Sequence, residues 1–223
     1  MTIQTIKFSD DQIIPFPVDP THVTYVNLTE AYDYLNAELF AQKLPFCLIT
    51  LQRKANCRGY FAGARFKHRN GTGVTDEIAL NPATFEDRDT RSILSTLAHE
   101  MVHLWQHHNG KPGKGGYHNK EWADMMLMID LKPVSIDQPG KQTGNKVTHE
   151  IVDGGWFDRV CAKLIAKGVQ IDWVEAWTEG GKDKAAKKLK VKYTCGTCGT
   201  NCWAKPDARF ICGDCDQDME AEG

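Results

Sequence analysis

His99-Glu100-Met101-Val102-His103 sets two imidazoles and a carboxylate at helical spacing, and a further histidine, His118, follows after a step of fifteen residues. Residues four apart lie on one face of an α-helix, one turn up, with a rise of about 6 Å between them. Two imidazoles so placed can converge on one tetrahedral zinc, with Glu100 beside the metal's open position. A carboxylate there can take a proton from zinc-bound water, whose pKa the metal lowers to about 7. The flanks support a helix. Asp89 or Thr90 can cap its start, Ile93, Leu94, Leu97, Ala98, Met101, Val102 and Trp105 form an apolar stripe, and Gly110 is a stop. The bland alternative is a helix with two surface histidines and an exposed glutamate, which leaves the convergence of three residue types unexplained. The run therefore reads as a hydrolytic zinc site with Glu100 as general base, and peptide hydrolysis as its expected use.

The third ligand is approached by elimination. His107 continues the same face but lies about 12 Å from His99 along the axis, too far for one zinc with bonds of about 2 Å. His107 and His108 are expected to be solvated residues at the helix end. Gln106 and Asn109 occupy the positions where a metzincin needs Gly and His, which excludes that class. His118 and Glu121 remain, three apart on an expected second helix, Asn119 to Ile129, that also carries Trp122, Met125 and Met126. His118 is favoured and Glu121 is the gluzincin-like alternative. The Gly-rich turn from Asn109 to Gly116 can fold this second helix back over the first.

The 223 residues suffice for one catalytic domain and a small module. Charged residues at 25% and hydrophobic residues at 41% are ordinary for a globular protein. No apolar run approaches the roughly 18 residues of a membrane span, and Met1 to Lys7 lacks the pattern of a secretory signal. A cytoplasmic location is expected, nucleoid association included, in which eight reduced cysteines favour metal ligation over disulfides. The net charge of −2 is unevenly spread. Residues 182–192 carry six lysines and one aspartate, +5, leaving −7 for the rest, and the C-terminus is acidic.

Along the chain, residues 1–24 read as an irregular extension, with Pro15, Pro17 and Pro20 arguing against a helix. A protease-like domain is placed at 25–181, a lysine-rich linker at 182–192, a cysteine module at 193–217 and an acidic tail at 218–223. Thr29 can cap a helix reaching about Lys43. Strands are expected at Cys47–Leu51, Gly59–Phe66 and Glu77–Asn81, the last two separated by the turn signal Asn70-Gly71. After Pro133 a polar loop is expected through Gly155, then a helix from Trp156 to Lys167. The result is an α+β fold, a small antiparallel sheet packed on the metal-site helices. His149 is expected to be a structural loop histidine rather than a stabiliser of the transition state.

Cys195-Gly196-Thr197-Cys198 and Cys212-Gly213-Asp214-Cys215 are two C-x2-C pairs separated by thirteen residues. Thiolates so spaced can turn around a tetrahedral metal, with Gly196 and Gly213 relieving crowding in each turn. This reads as a zinc ribbon whose closed four-cysteine shell is structural. So short a segment buries little, and the metal would supply most of its stability. Cys202 is a fifth cysteine, simplest as a free thiol. Cys47, Cys57 and Cys161 are expected to be small buried residues.

The His99 to His103 run, the step to His118, and Trp122 with Met125 together resemble the SprT-like metalloproteases, Spartan proteases among them, and the bacterial or phage type with a C-terminal ribbon in particular. Ala31 to Phe40 with Leu44-Pro45 is similar to the family's first helix, Asp76 to Asn81 to its edge strand, and Gly140 to Gly144 with Thr148-His149 to a segment of bacterial members. The resemblance covers roughly residues 25 to 215. It implies a zincin-like domain with one catalytic zinc on His99, His103 and His118, Glu100 as general base, and substrate paired along Glu77–Asn81 as an added strand. It also implies a protein substrate associated with or crosslinked to DNA. The ribbon, with its structural zinc, and the lysine stretch would then contact DNA, single-stranded DNA included, with Tyr193, Trp203 and Phe210 as stacking faces or as the ribbon's small core. Two rival readings are a nucleic-acid-associated protein whose two zinc sites are structural, and a zinc hydrolase of a non-peptide amide.

Overall fold

The computed structural model describes residues 19–175 and 190–222. The chain divides into two compact units at Glu175/Ala176. In the first unit, helix α1 (Pro20–Phe40) is followed by strands β1 (Leu48–Leu51), β2 (Gly59–Lys67) and β3 (Val74–Leu80). Helices α2 (Thr90–Asn109) and α3 (Lys120–Met128), strands β4 (Leu131–Ser135) and β5 (Val147–Ile151), and helix α4 (Trp156–Ala166) complete it. Among the described residues, no helix is long and apolar enough to cross a membrane.

α1 starts earlier than the proline-rich lead suggests. Asp19 accepts from the Thr21 and His22 N–H groups, and Pro20 occupies the first turn, where its missing N–H costs nothing. The same proline that argues against a helix thus begins one. α2 runs as its caps require: the Asp89 carboxylate accepts from Ser92 N–H, and the Gly110 N–H closes on Gln106 O. Its Ile93, Leu94, Leu97, Ala98, Met101 and Val102 are fully buried, as are Leu28 and Leu35 of α1 and Phe157 of α4. α2 packs on α1, α3, α4, β2 and β3, and is the axis of the unit.

The first sheet has the order β1-β3-β2. β2 and β3 form an antiparallel pair, whereas β1 runs parallel to β3. The α+β class holds, with a mixed sheet instead of a wholly antiparallel one, because β1 enters beside the far strand of the hairpin. Glu77–Asn81 is therefore not an exposed edge: β3 is the central strand, bonded on both sides, and β1 and β2 are the edges. β2 is the edge that lies on α2. The expected loop after Pro133 holds a hairpin, β4 against β5, with Pro133 opposite His149. In a two-stranded sheet every strand has an open side, so a residue without an N–H is tolerated.

The second unit, of which residues 190–222 are described, is a four-stranded sheet. Its strands are β6 (Val191–Cys195), β7 (Asn201–Ala204), β8 (Ile211–Cys212) and β9 (Gln217–Glu222), in the order β7-β6-β9-β8. This is a ribbon folded around four cysteines. The lysine block falls outside the described residues as far as residue 189.

Candidate metal centre

Three pieces of chain bring the histidines together. His99 and His103 project from successive turns of α2 with ring centroids 5.2 Å apart. His118 stands just before α3, pinned by a two-way backbone bridge to Gly144 and by a 3.0 Å bond from its Nδ1 to Gly144 O. One donor atom of each of His99, His103 and His118 lies within 4.8 Å of the others. Trp122 is fully buried beneath them, with its ring 4.3 to 5.4 Å from the three imidazole centroids.

Burial, with His103, His149 and His118 nearby, pushes His99 well below the usual imidazole range. Burial also brings His103 to about 3 and lowers His118. Neutral imidazoles each keep a lone pair for a metal. A carbonyl oxygen can only accept, so His118 gives its Nδ1–H to Gly144 and its Nε2 is the lone-pair nitrogen. That Nε2 lies 3.3 Å from His99 Nε2. Two ligands of a tetrahedral zinc, at bonds of 2.0–2.1 Å, are about 3.4 Å apart. The donor set therefore fits a zinc ion.

Glu100 is buried on the flank of α2 that meets β2, where it accepts from Phe61 N–H. Burial drives its carboxyl up to about 8, against the Phe61 N–H and Lys54, which act to lower it. The approach depends on Gly59: a Cβ there would come 2.9 Å from Ala79 O, 3.0 Å from Thr96 Cγ2 and 3.3 Å from Glu100 Oε1. Gly63, two residues beyond Phe61, does the same for His107, whose ring occupies the place of a Cβ. The alternation Gly59, Phe61, Gly63 was the sequence signal for this close strand-on-helix contact.

A model of the SprT-like family matches residues 28–149, more than half of the chain. The chain belongs to the SprT-like family. Membership supports a metalloprotease-type function in general terms. A Salmonella typhimurium protein described as an uncharacterized protein in the mucB 3' region is 48% identical over 59 residues, 26% of this chain and 80% of that protein. The SprT-like match begins in α1 and ends at His149, so it takes in every residue of the histidine group.

Within the SprT-like segment, Glu121 is turned to other work. Its Oε2 accepts from Gln106 Nε2 and from Lys111 N–H, both at 2.7 Å. Asn119 caps α3 and ties down the same turn through Lys111 O at 2.8 Å. The structure thus brings His118, and not Glu121, to His99 and His103. His149, on β5 and not in a loop, places its Nδ1 3.1 Å from His99 Nδ1 and its Nε2 2.9 Å from Ser95 Oγ. Burial, then Arg58 and Arg88, hold it down at about 4. His107 and His108 are exposed yet partnered, contrary to expectation. His108 Nε2 is 2.6 Å from Asp76 Oδ2, Asp76 Oδ1 accepts from Ala64 N–H at 2.7 Å, and His107 packs on Phe61.

Outside the SprT-like match, Cys195, Cys198, Cys212 and Cys215 bring four thiols within 4.8 Å of one another, and Cys198 and Cys212 sulfurs are 3.6 Å apart. Such a donor set fits a closed tetrahedral metal site. Each half is a tight turn, with Gly199 N–H bonded to Cys195 O and Asp216 N–H to Cys212 O. The left-handed residues are Gly199 (φ 72°) and Asp216 (φ 51°). Gly196 and Gly213 meet nothing within 4 Å of a would-be Cβ, so the crowding expected there is absent. Cys202 lies on β7, outside the thiol group. Tyr193 is buried against Phe210, so both belong to the ribbon's core and Trp203 alone of the three is exposed. Of the other cysteines, Cys161 is buried, while Cys47 and Cys57 are partly exposed.

Proposed function

We propose that the protein is a zinc-dependent endopeptidase of the His-Glu-x-x-His type, with zinc on His99, His103 and His118 and Glu100 as general base, acting on proteins associated with or crosslinked to DNA. The observation that carries the catalytic part is the 3.3 Å approach of the His99 and His118 Nε2 atoms, with the buried carboxylate of Glu100, the residue that follows His99, facing Phe61 N–H of the edge strand. Zinc bound there would polarise the scissile carbonyl and acidify the attacking water. Glu100 takes the proton of that water and returns it to the departing amine. β2, an edge strand resting on α2, orients the polypeptide by pairing with its backbone. Trp122, packed under the three rings, keeps them fixed and shuts water out from below.

A second, structural zinc on Cys195, Cys198, Cys212 and Cys215 would hold the ribbon together. DNA contact is supported by the six lysines of residues 182–192 and by the exposed Trp203, which sits opposite Lys192 in the β6–β7 ladder. A backbone-tracking basic stretch with an aromatic face suits single-stranded nucleic acid.

The test is to incubate wild type and Glu100→Gln with a DNA-binding protein, with and without single-stranded DNA, and to assay zinc content in parallel. Cleavage by wild type alone, stimulated by DNA, with zinc retained in the variant, is the expected result. Turnover by Glu100→Gln overturns the role of Glu100. Zinc-loaded wild type that binds DNA and cleaves nothing would favour a non-proteolytic zinc protein. Replacing Lys187, Lys188, Lys190 and Lys192 with Glu should weaken DNA binding and flatten its logarithmic salt dependence by up to about 3 units; an unchanged slope removes the lysines from the interface.

A further inference from the structure

His149 touches the histidine group without belonging to it. Its Nδ1 faces the Nδ1 side of His99, away from the atoms that converge with His118, so it is not a fourth member of the donor set. Both of its nitrogens are engaged, so neither is left to donate to a developing oxyanion. Where the protons lie can be worked out from the end of the chain of contacts. Ser95 Oγ is 2.8 Å from Ser92 O, a carbonyl that can only accept, so the Ser95 hydroxyl hydrogen points there. Ser95 Oγ then receives the Nε2–H of His149 at 2.9 Å. A neutral imidazole carries one N–H, which leaves His149 Nδ1 as an acceptor. The hydrogen between the two Nδ1 atoms, 3.1 Å apart, must belong to His99.

We propose that His149 is a positioning residue: with Ser95 and the Ser92 carbonyl it fixes the His99 proton on Nδ1 and holds the ring so that the bare Nε2 faces His118. Gly144 O performs the same service for His118 through a backbone carbonyl. The group therefore has two outer supports of different kinds, one from the loop before β5 and one from the β5 strand itself. Ser92, Ser95 and His99 all lie on α2, so His149 closes a loop of hydrogen bonds that starts and ends on the helix carrying the ligand. Outer partners of this kind orient a metal-bound histidine and raise its basicity. The proposal rests on the reading that His99, His103 and His118 hold a metal.

The test uses the full chain and measures zinc affinity by chelator competition for wild type, His149→Phe, His149→Asn, Ser95→Ala and His103→Ala. Cobalt substitution separates the two sites, because thiolate ligation gives charge-transfer absorption that a histidine site lacks. His149→Phe, which keeps a ring without nitrogen, should weaken the histidine site about 10–100-fold and shift its cobalt ligand-field bands. His149→Asn places an acceptor oxygen near the former Nδ1 and should restore most of the affinity and the spectrum. Ser95→Ala should cause a smaller loss. Wild-type affinity and spectrum in His149→Phe, with metal lost in His103→Ala, overturns the role of His149 and leaves the metal site standing. Metal retained at the histidine site in His103→Ala overturns the site and the proposal with it. Should His149→Phe fail to fold by circular dichroism, side-chain 1H–15N spectra of zinc-loaded wild type decide. A His149 proton on Nε2 supports the arrangement, and one on Nδ1 overturns it.

Discussion

The histidine group and the cysteine group are both sets of converging metal donors, yet they stand in opposite relations to their surroundings. The histidines sit on a core that exists without them: Leu94, Leu97, Met101, Trp122 and Met126 are fully buried around α2 and α3. The described part of the ribbon has Tyr193, Cys195 and Cys212 as its buried apolar residues, and two of those three are donors themselves. In the first unit packing shapes the site. In the second, the site is most of the packing. A preshaped set of neutral donors suits a metal that must keep an open position, whereas a closed thiolate shell is suited to holding chain together.

Metal removal is the strongest way to break this contrast. Chelation should unfold the ribbon, since structural zinc contributes on the order of 10 kcal/mol in small cysteine and histidine modules. The first unit should keep its helices and its cooperative melt. Circular dichroism for the helices and amide spectra of residues 190–222 read the two separately, and Cys212→Ser should reproduce the ribbon's loss alone. If both units collapse together under chelation, the first unit does not possess a self-sufficient core.

A smaller effect is expected from Gly59→Val. Its side chain would meet Ala79 O and Thr96 and force β2 away from α2, at a cost of about 1–3 kcal/mol. Thermal unfolding of the first unit should shift down while the ribbon stays unchanged, and turnover should fall because Glu100 loses its Phe61 contact. An unaltered melting point would mean that strand and helix separate freely.

The smallest effect concerns Asp76. Burial acts to raise its pKa, but the Ala64 N–H and His108 outweigh it and hold the carboxyl below its ordinary value. A carboxylate with a depressed folded-state pKa adds stability above its unfolded pKa and loses it as pH falls through the folded one. Asp76→Asn should therefore destabilise the first unit at pH 7, by no more than about 1.5 kcal/mol given the exposure of His108. The difference from wild type should close in acid, and denaturant midpoints across pH would show it. A gap that persists below the carboxylate range would assign the effect to packing instead of charge.

How much of this was legible depends on the range of the interactions involved. α2 could be read to within a residue because its cap, stripe and stop are local to it. The convergence of His118 follows from spacing plus a flexible turn, but the exclusion of Glu121 does not. It arises from Lys111 N–H and Gln106, contacts that exist only once α3 has folded back. The central place of β3 was hidden for a similar reason, since strand order is a property of the assembled sheet. Pro20 misled as a helix breaker, and the polar stretch after Pro133 misled as a loop although Pro133 itself lies in β4. Each proline lacks an N–H, and in each case the fold offers a position where none is needed. His149 was visible as a residue but not as a partner of His99, because fifty residues separate them and only the β4–β5 hairpin brings β5 up to α2.

The irregularity in β2 sets a scale for what can be handled there. Its ladder with β3 is regular from Gly59 to Ala62 and resumes only at Phe66, the intervening bulge being held by Asp76 and Ala64 N–H. In the proposed peptidase, a polypeptide pairing with the regular part would be held over about four residues, roughly 13 Å of extended chain. Such a grip reads main chain, which every protein has, and asks little of side-chain identity. What it demands is that four consecutive residues be free of their own secondary structure. Selection would then fall on frayed, damaged or stranded segments, and a well-folded neighbour would be spared for want of a loose end.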